Sequence, residues 1–237
     1  DTYEYPSTGE QYGQSMLCMS LDLPNVDKAF LQFQYTNPQV YGSQWVKSLT
    51  SKLPNGDAFV NQGQVVTTAS SHVINITTSG GFSTTHFAKT TAWGQSIFGN
   101  LIGPYYQQSL LVESWQRPYE DPLLPPTYQD AIYSVLTLQC PPNANWDGVT
   151  WKMTQDHAKW TVSADGSLPL ICIGDINKQQ SQWKRSGGMA CIVDQTIYSN
   201  WAALIATTDQ NNKAPRALVA ETYQPLANHT RPAIALE

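Results

Sequence analysis

Residues 155–191 constrain the fold more than any other part of the chain. They read QDHAKWTVSADGSLPLICIGDINKQQSQWKRSGGMAC. Three short apolar runs, at 159–162, 168–173 and 189–193, are separated by polar, turn-forming residues. Runs of that length bounded by Gly, Pro, Asp and Asn read as strands. The segment is therefore expected to form strands with its charged residues in the connections. Ile171-Cys172-Ile173 has the signature of a buried strand, and Gly174-Asp175-Ile176-Asn177 is the turn that leaves it.

The connections carry the chemistry. His157 and Lys159 are two positions apart, and on extended backbone such residues share a face. An imidazole titrating near neutrality beside a compact ammonium suits a phosphodiester. The ring attacks phosphorus or donates a proton, and the ammonium holds phosphate oxygens. The plain alternative is a chance pairing on an exposed strand. Asn177, Lys178, Gln180 and Arg185 follow the turn and are placed to converge on the same anion. Gly187-Gly188 either lets backbone N–H groups approach a ligand or forms an ordinary turn.

DHAKW, CIGDIN, Gln180 and RSGGMAC together resemble the C-terminal motif block of the deoxyribonuclease II family of acid endonucleases. Weaker similarities in YGQSMLCMSLDL, FQYTNPQVYG, the HFAK region and LLVESWQR follow the family's order over most of the chain. The resemblance implies a mixed α/β (α+β) chain in a phospholipase-D-like sandwich of two pseudo-symmetric halves. Each half of that fold gives one His-x-Lys to a single site, which cuts DNA without a metal or other cofactor. One His is transiently phosphorylated and the other protonates the leaving oxygen. By this resemblance His157 and Lys159 are catalytic, and Asn177, Lys178 and Arg185 bind substrate. It also implies a disulfide between Cys172 and Cys191, which are 19 positions apart. A loop of that size contributes roughly 3 kcal/mol in the chain-entropy model. The bond would pin the loop carrying Lys178 and Arg185 to the strand after His157. Two departures from the family are mild: Ser186 replaces a Gly, and Lys178 replaces an Arg.

The family's first His-x-Lys lies upstream of its YGQ-like block, which here is Tyr12-Gly13-Gln14. No second His-x-Lys occurs in the chain. His86-Phe87-Ala88-Lys89 has one residue too many, puts the two side chains on opposite faces of a strand, and reads as structural. The expectation is half of a two-half site. Residues 1–126 form the remainder of the first half and 127–237 the second, which carries the motif. A separate N-terminal fragment chain, or a second copy in a homodimer, completes the site. The alternative is a secreted, catalytically inactive relative that binds a polyanion or a host protein.

Composition narrows the setting. A hydrophobic share of 41% with 13% charged residues describes a globular chain. A net charge of −5 does not favour nucleic acid at neutral pH, but four His gain charge in acid and ease that repulsion. No apolar run is long enough to span a membrane. Sequons at Asn75 and Asn228 offer glycosylation sites. With the cysteines and the resemblance they point to a secreted or lysosomal protein. Cys18 pairs with Cys140 or with a cysteine of a second chain.

The rest of the chain reads as scaffold. Alternation predicts a strand from Ser15 to Leu23, and Asn25 or Asp27 would cap a short helix from Ala29 to Gln34. Helical spacing at Val40, Trp45, Leu49 and Leu53 predicts a second helix, ended by Pro54-Asn55-Gly56. A hairpin is expected around Gly80-Gly81, with further strands at Val65-Val66, Ser109 to Trp115 and Ile132 to Leu138. Four prolines within 118–126 mark the join between the halves. Asp194 would cap a helix from Gln195 to Ala206. Trp146, Trp151, Trp160 and Trp183 cluster around the motif block, where they fill the core or stack on bases.

Overall fold

The computed structural model describes residues 12–115, 131–141 and 148–210 of the 237. Nine strands form one sheet: β1 (Ser71–Thr77), β2 (Ser83–Lys89), β3 (Leu110–Glu113), β4 (Ile132–Gln139), β5 (Thr150–Lys152), β6 (Trp160–Ser163), β7 (Leu170–Gly174), β8 (Gly187–Val193) and β9 (Ile205–Thr208). Their order is β1-β2-β8-β7-β6-β3-β4-β5, with β9 also on β4. Only β3 and β4 run parallel among the described pairs. Four α-helices accompany the sheet among the described residues: α1 (Leu23–Thr36), α2 (Pro54–Val60), α3 (Gly103–Tyr106) and α4 (Gln195–Ala202). This is the mixed α/β architecture that the phospholipase-D-like expectation requires.

The central strands are buried on both faces, which explains their nearly continuous apolar runs. Leu110 and Val112 of β3 enter one core with Phe87, Leu170, Cys172 and Cys191. Leu111 between them enters the other core with Val162, Ile171, Ile192 and Trp160. Period-two alternation thus sorts neighbouring residues into opposite layers. Cys172 and Cys191 are cross-strand partners on β7 and β8, with Cα atoms 3.9 Å apart, and form the expected disulfide. Cys18 and Cys140 are free, so the pairing between them is not formed.

Strands β1, β2 and β3 share the sheet with strands that follow residues 118–126. That proline-rich join lies outside the described residues, as do Trp146 and Asn228.

Several elements differ from expectation for local reasons. Residues 15–22 are not a strand, because no neighbouring strand pairs with them. Helix α1 starts earlier than predicted: Asp22 caps it by accepting from the Asn25 N–H at 3.0 Å, and Asn37 ends it in the left-handed region. Asp27 instead serves α2, accepting from the N–H groups of Asn55 and Gly56. Pro54 therefore opens a helix where it was expected to close one, since proline fits the first turn. Between 40 and 53 only the 3₁₀ turn Lys47–Leu49 forms. Val65-Val66 is no strand, and β5 and β9 were not anticipated. Helix α4 stops at Ala202, leaving Ile205–Thr208 to pair with β4.

Helix α1 is fastened to the sheet by amides as well as by apolar packing. Gln32 donates to the His86 carbonyl at 2.9 Å and meets His72 Nδ1 at 2.8 Å. Asn25 Oδ1 accepts from the Thr77 N–H.

Candidate active site

The site forms where three separate segments meet at the start of β6. His157 and Lys159 immediately precede that strand, and the Lys159 carbonyl accepts from the Gly174 N–H on β7 at 3.0 Å. Residues 12–14 lie against them. The His157 N–H donates to the Tyr12 carbonyl at 2.8 Å, and Gln14 Nε2 is 2.6 Å from His157 Nδ1. Gly13 lies between those two contacts with φ +69. A Cβ there would stand 3.3 Å from Asp156 Oδ1, so glycine fits both the backbone and the space.

The third segment is the end of β3. Trp115 sets its ring edge-on to the His157 imidazole, with centroids 4.6 Å apart, and packs against Tyr12 at 5.3 Å. Ser114 Oγ accepts from the Lys178 N–H at 2.9 Å and so fixes the loop after β7. Glu113 is wholly buried. Asp156 holds the turn into the site by accepting from the Ala158 N–H and from Trp151 Nε1.

Charge is concentrated here. Lys159 is only 7% exposed, and its ammonium folds back to donate to the His157 carbonyl. Burial pushes Lys159 down to about 8, with Arg185 adding to the effect and Asp156, Asp175 and Glu113 opposing it. Burial also lowers the pKa of His157 below its ordinary value. Lys159 and Arg185 push the same way, and Asp156 opposes them. The imidazole is thus kept neutral, and able to act as a nucleophile, further into acid than a free histidine.

The charges of Lys159 and the exposed Arg185 therefore both act on the His157 ring. Asn177 lies in the same loop, with its Oδ1 buried and without a hydrogen-bond partner among the described residues. Lys178 is directed elsewhere. It is 2% exposed, donates to Ser134 Oγ at 2.7 Å and faces Asp209 Oδ2 at 3.8 Å. Gly187-Gly188 opens β8, and the Gly188 N–H is spent on Asp175 Oδ1. A Cβ on Gly188 would lie 2.5 Å from the Phe87 carbonyl oxygen, so this diglycine permits close strand packing.

His86 and Lys89 have structural surroundings. Lys89 is fully buried and donates to the carbonyls of Gln182, Trp183 and Arg185, closing the 3₁₀ helix Gln180–Lys184. Burial pushes His86 down to about 4. Trp160 is core, crossing Trp201 at 5.2 Å, and Trp151 supports Asp156. Among the described residues, no group of three or more His, Cys, Asp or Glu could hold a metal ion.

Gln14, Trp115, Glu113 and Asp156 were missed by residue patterns. The signal for Gln14 and Trp115 lay in two similarities to the family, YGQ and LLVESW, that carried no assigned role.

The fold and site define a mixed α/β protein with a cationic histidine centre at the strand ends. A family model, deoxyribonuclease II, matches residues 1–211, and the chain belongs to that family. Deoxyribonuclease-2 of Caenorhabditis elegans is 33% identical over 216 residues, covering 90% of this chain and 54% of the relative. Deoxyribonuclease-2-beta of Rattus norvegicus is 30% identical, covering 86% and 56%. Plancitoxin-1 of Acanthaster planci is 26% identical, covering 83% and 54%. The chain thus spans just over half the length of these relatives.

Proposed function

We propose that this chain carries one half of the centre of a deoxyribonuclease II-type acid endonuclease. The observation that supports this is the partly exposed, cation-flanked imidazole of His157 with Nδ1 already engaged by Gln14. Attack by Nε2 on phosphorus requires the ring proton on Nδ1, with the Gln14 amide turned to present its oxygen there. Lys159 and Arg185 hold phosphate oxygens, with Asn177 beside them. In the nucleophile role a P–N bond forms as the P–O bond breaks. The leaving oxygen takes its proton from an acid supplied by the other half-site. Water then cleaves the P–N bond and restores the free imidazole. A second chain or a second copy completes the site, with residues 1–126 and 127–237 as its pseudo-symmetric parts. The protein is secreted or lysosomal and glycosylated at Asn75 and Asn228.

Native mass spectrometry, before and after reduction, tests the completed site. Plasmid relaxation at acid pH in chelator tests the activity. His157→Ala should abolish cleavage, and equal cleavage by the variant would sink the assignment. The alternative is a catalytically inactive binder of a polyanion or a host protein. It leads if a single chain binds DNA or heparin without cutting.

A further inference from the structure

Glu113 ends β3 and lies directly opposite Trp160 of β6, the residue after Lys159. It is 0% exposed, and neither carboxylate oxygen has a hydrogen-bond partner among the described residues. A buried anion in that condition is costly, and no described residue supplies a donor to offset it. The groups facing it are few. From the segment entering β6 come Asp156, which repels an ionised Glu113, and Lys159, which attracts it. On β4, Tyr133 is the titratable residue in register with β3, at Leu111. The loop after β7 contributes Lys178, whose ammonium is held at Ser134 and Asp209.

We propose that Glu113 is a positioning residue of the His157 centre, a neutral carboxylic acid in acid that ionises as pH rises, so that at acid pH the charge of Lys159 is left for a substrate phosphate. Burial raises its pKa well above the ordinary carboxylate value, and Asp156 adds to this. The neutral acid leaves Lys159 uncompensated. An ionised Glu113 would pair with Lys159 across the same low-dielectric space and compete with the incoming phosphate. Glutamine keeps the shape and polarity of the neutral acid without the option of charge.

The proposal rests on the nuclease reading for its phosphate but not for the protonation state of Glu113. Two measurements separate the parts. The first is thermal unfolding of wild type and Glu113→Gln, without DNA, from about pH 4 to 8. A carboxyl whose folded pKa is raised contributes stability fully below its unfolded pKa and loses it as pH rises towards the folded value. The melting temperature of wild type should therefore fall relative to the variant across that range, and a constant difference would overturn the neutral-acid state. The second is anisotropy of a fluorescein-labelled DNA oligonucleotide over the same range. The affinity ratio of variant to wild type should rise several-fold with pH, and loss of charge on Lys159 itself cancels in that ratio. A flat ratio, or a variant that binds more weakly throughout, would overturn the positioning role. Absence of DNA binding by either protein removes the phosphate part and the nuclease reading together, while the melting curves still decide the charge of Glu113.

Discussion

Gln14 and His157 are 143 positions apart in the chain, yet their side chains meet at 2.6 Å. A neutral amide therefore orients the imidazole at Nδ1. An amide satisfies that nitrogen as donor or acceptor but adds no charge that would favour the imidazolium.

Replacing Gln14 with Glu would supply that charge. The carboxylate should raise the pKa of His157 by about one unit, because an opposite charge at hydrogen-bond distance favours the protonated ring. Activity that needs the neutral ring would then fail at higher pH, moving the acid limb of the pH profile upward. An NMR titration of the His157 ring checks the shift without relying on cleavage. An unchanged pKa would show that Gln14 does not control the ring.

Lys89→Met should destabilise the protein by about 3 kcal/mol, since three carbonyls lose their shared donor. Urea unfolding measures this. Arg185 should also move, because its own carbonyl is one of the three, so phosphate affinity should fall alongside stability.

His86 makes the fold acid-sensitive. Its pKa is depressed from 6.5 to about 4, so the folded state favours the neutral ring. That stability is fully present above pH 6.5 and is lost as pH falls towards 4, a change on the order of 2–3 kcal/mol. His86→Gln should flatten the decline in melting temperature over that window. A slope identical to wild type would place the acid sensitivity elsewhere.

Removing the disulfide through Cys172→Ala with Cys191→Ala should cost roughly 3 kcal/mol by the loop-entropy argument. Chemical unfolding under non-reducing conditions gives the comparison. The two positions face each other across β7 and β8. The variant should therefore keep its sheet register and lose order first in the loop between them, which hydrogen exchange would detect.

The motif block was legible because its parts lie close in sequence. His157, Lys159, Arg185 and the disulfide all sit within residues 155–191, and most strands there were bounded within a few residues. Gln14 and Trp115 could not be read the same way, since their partner is distant in the chain and reached only by folding. The surroundings of Lys178 were hidden for a related reason. Its partners, Ser134 and Asp209, lie on β4 and just after β9, a strand the residue pattern did not reveal. The expected helix at 40–53 failed because apolar spacing alone does not form a helix where Asp27 draws the N-terminus to Asn55. The expected strand at 15–22 failed for want of a pairing edge.

That last segment has a consequence of its own. Residues 12–22 reach His157 through one carbonyl and one amide, and touch the hairpin of β1 and β2 through a bond from the Ser79 N–H to the Ser20 carbonyl. Among the described residues no ladder of hydrogen bonds holds them, and their other anchors include the packing of Leu17 on the core, the Tyr12–Trp115 ring contact and a bond from Thr84 Oγ1 to Met19 Sδ. Detaching this arm would release the imidazole while leaving the nine strands paired. The centre therefore depends on a segment that can open locally without breaking the sheet, and a cut near Ser20 is expected to weaken the site before it weakens the fold.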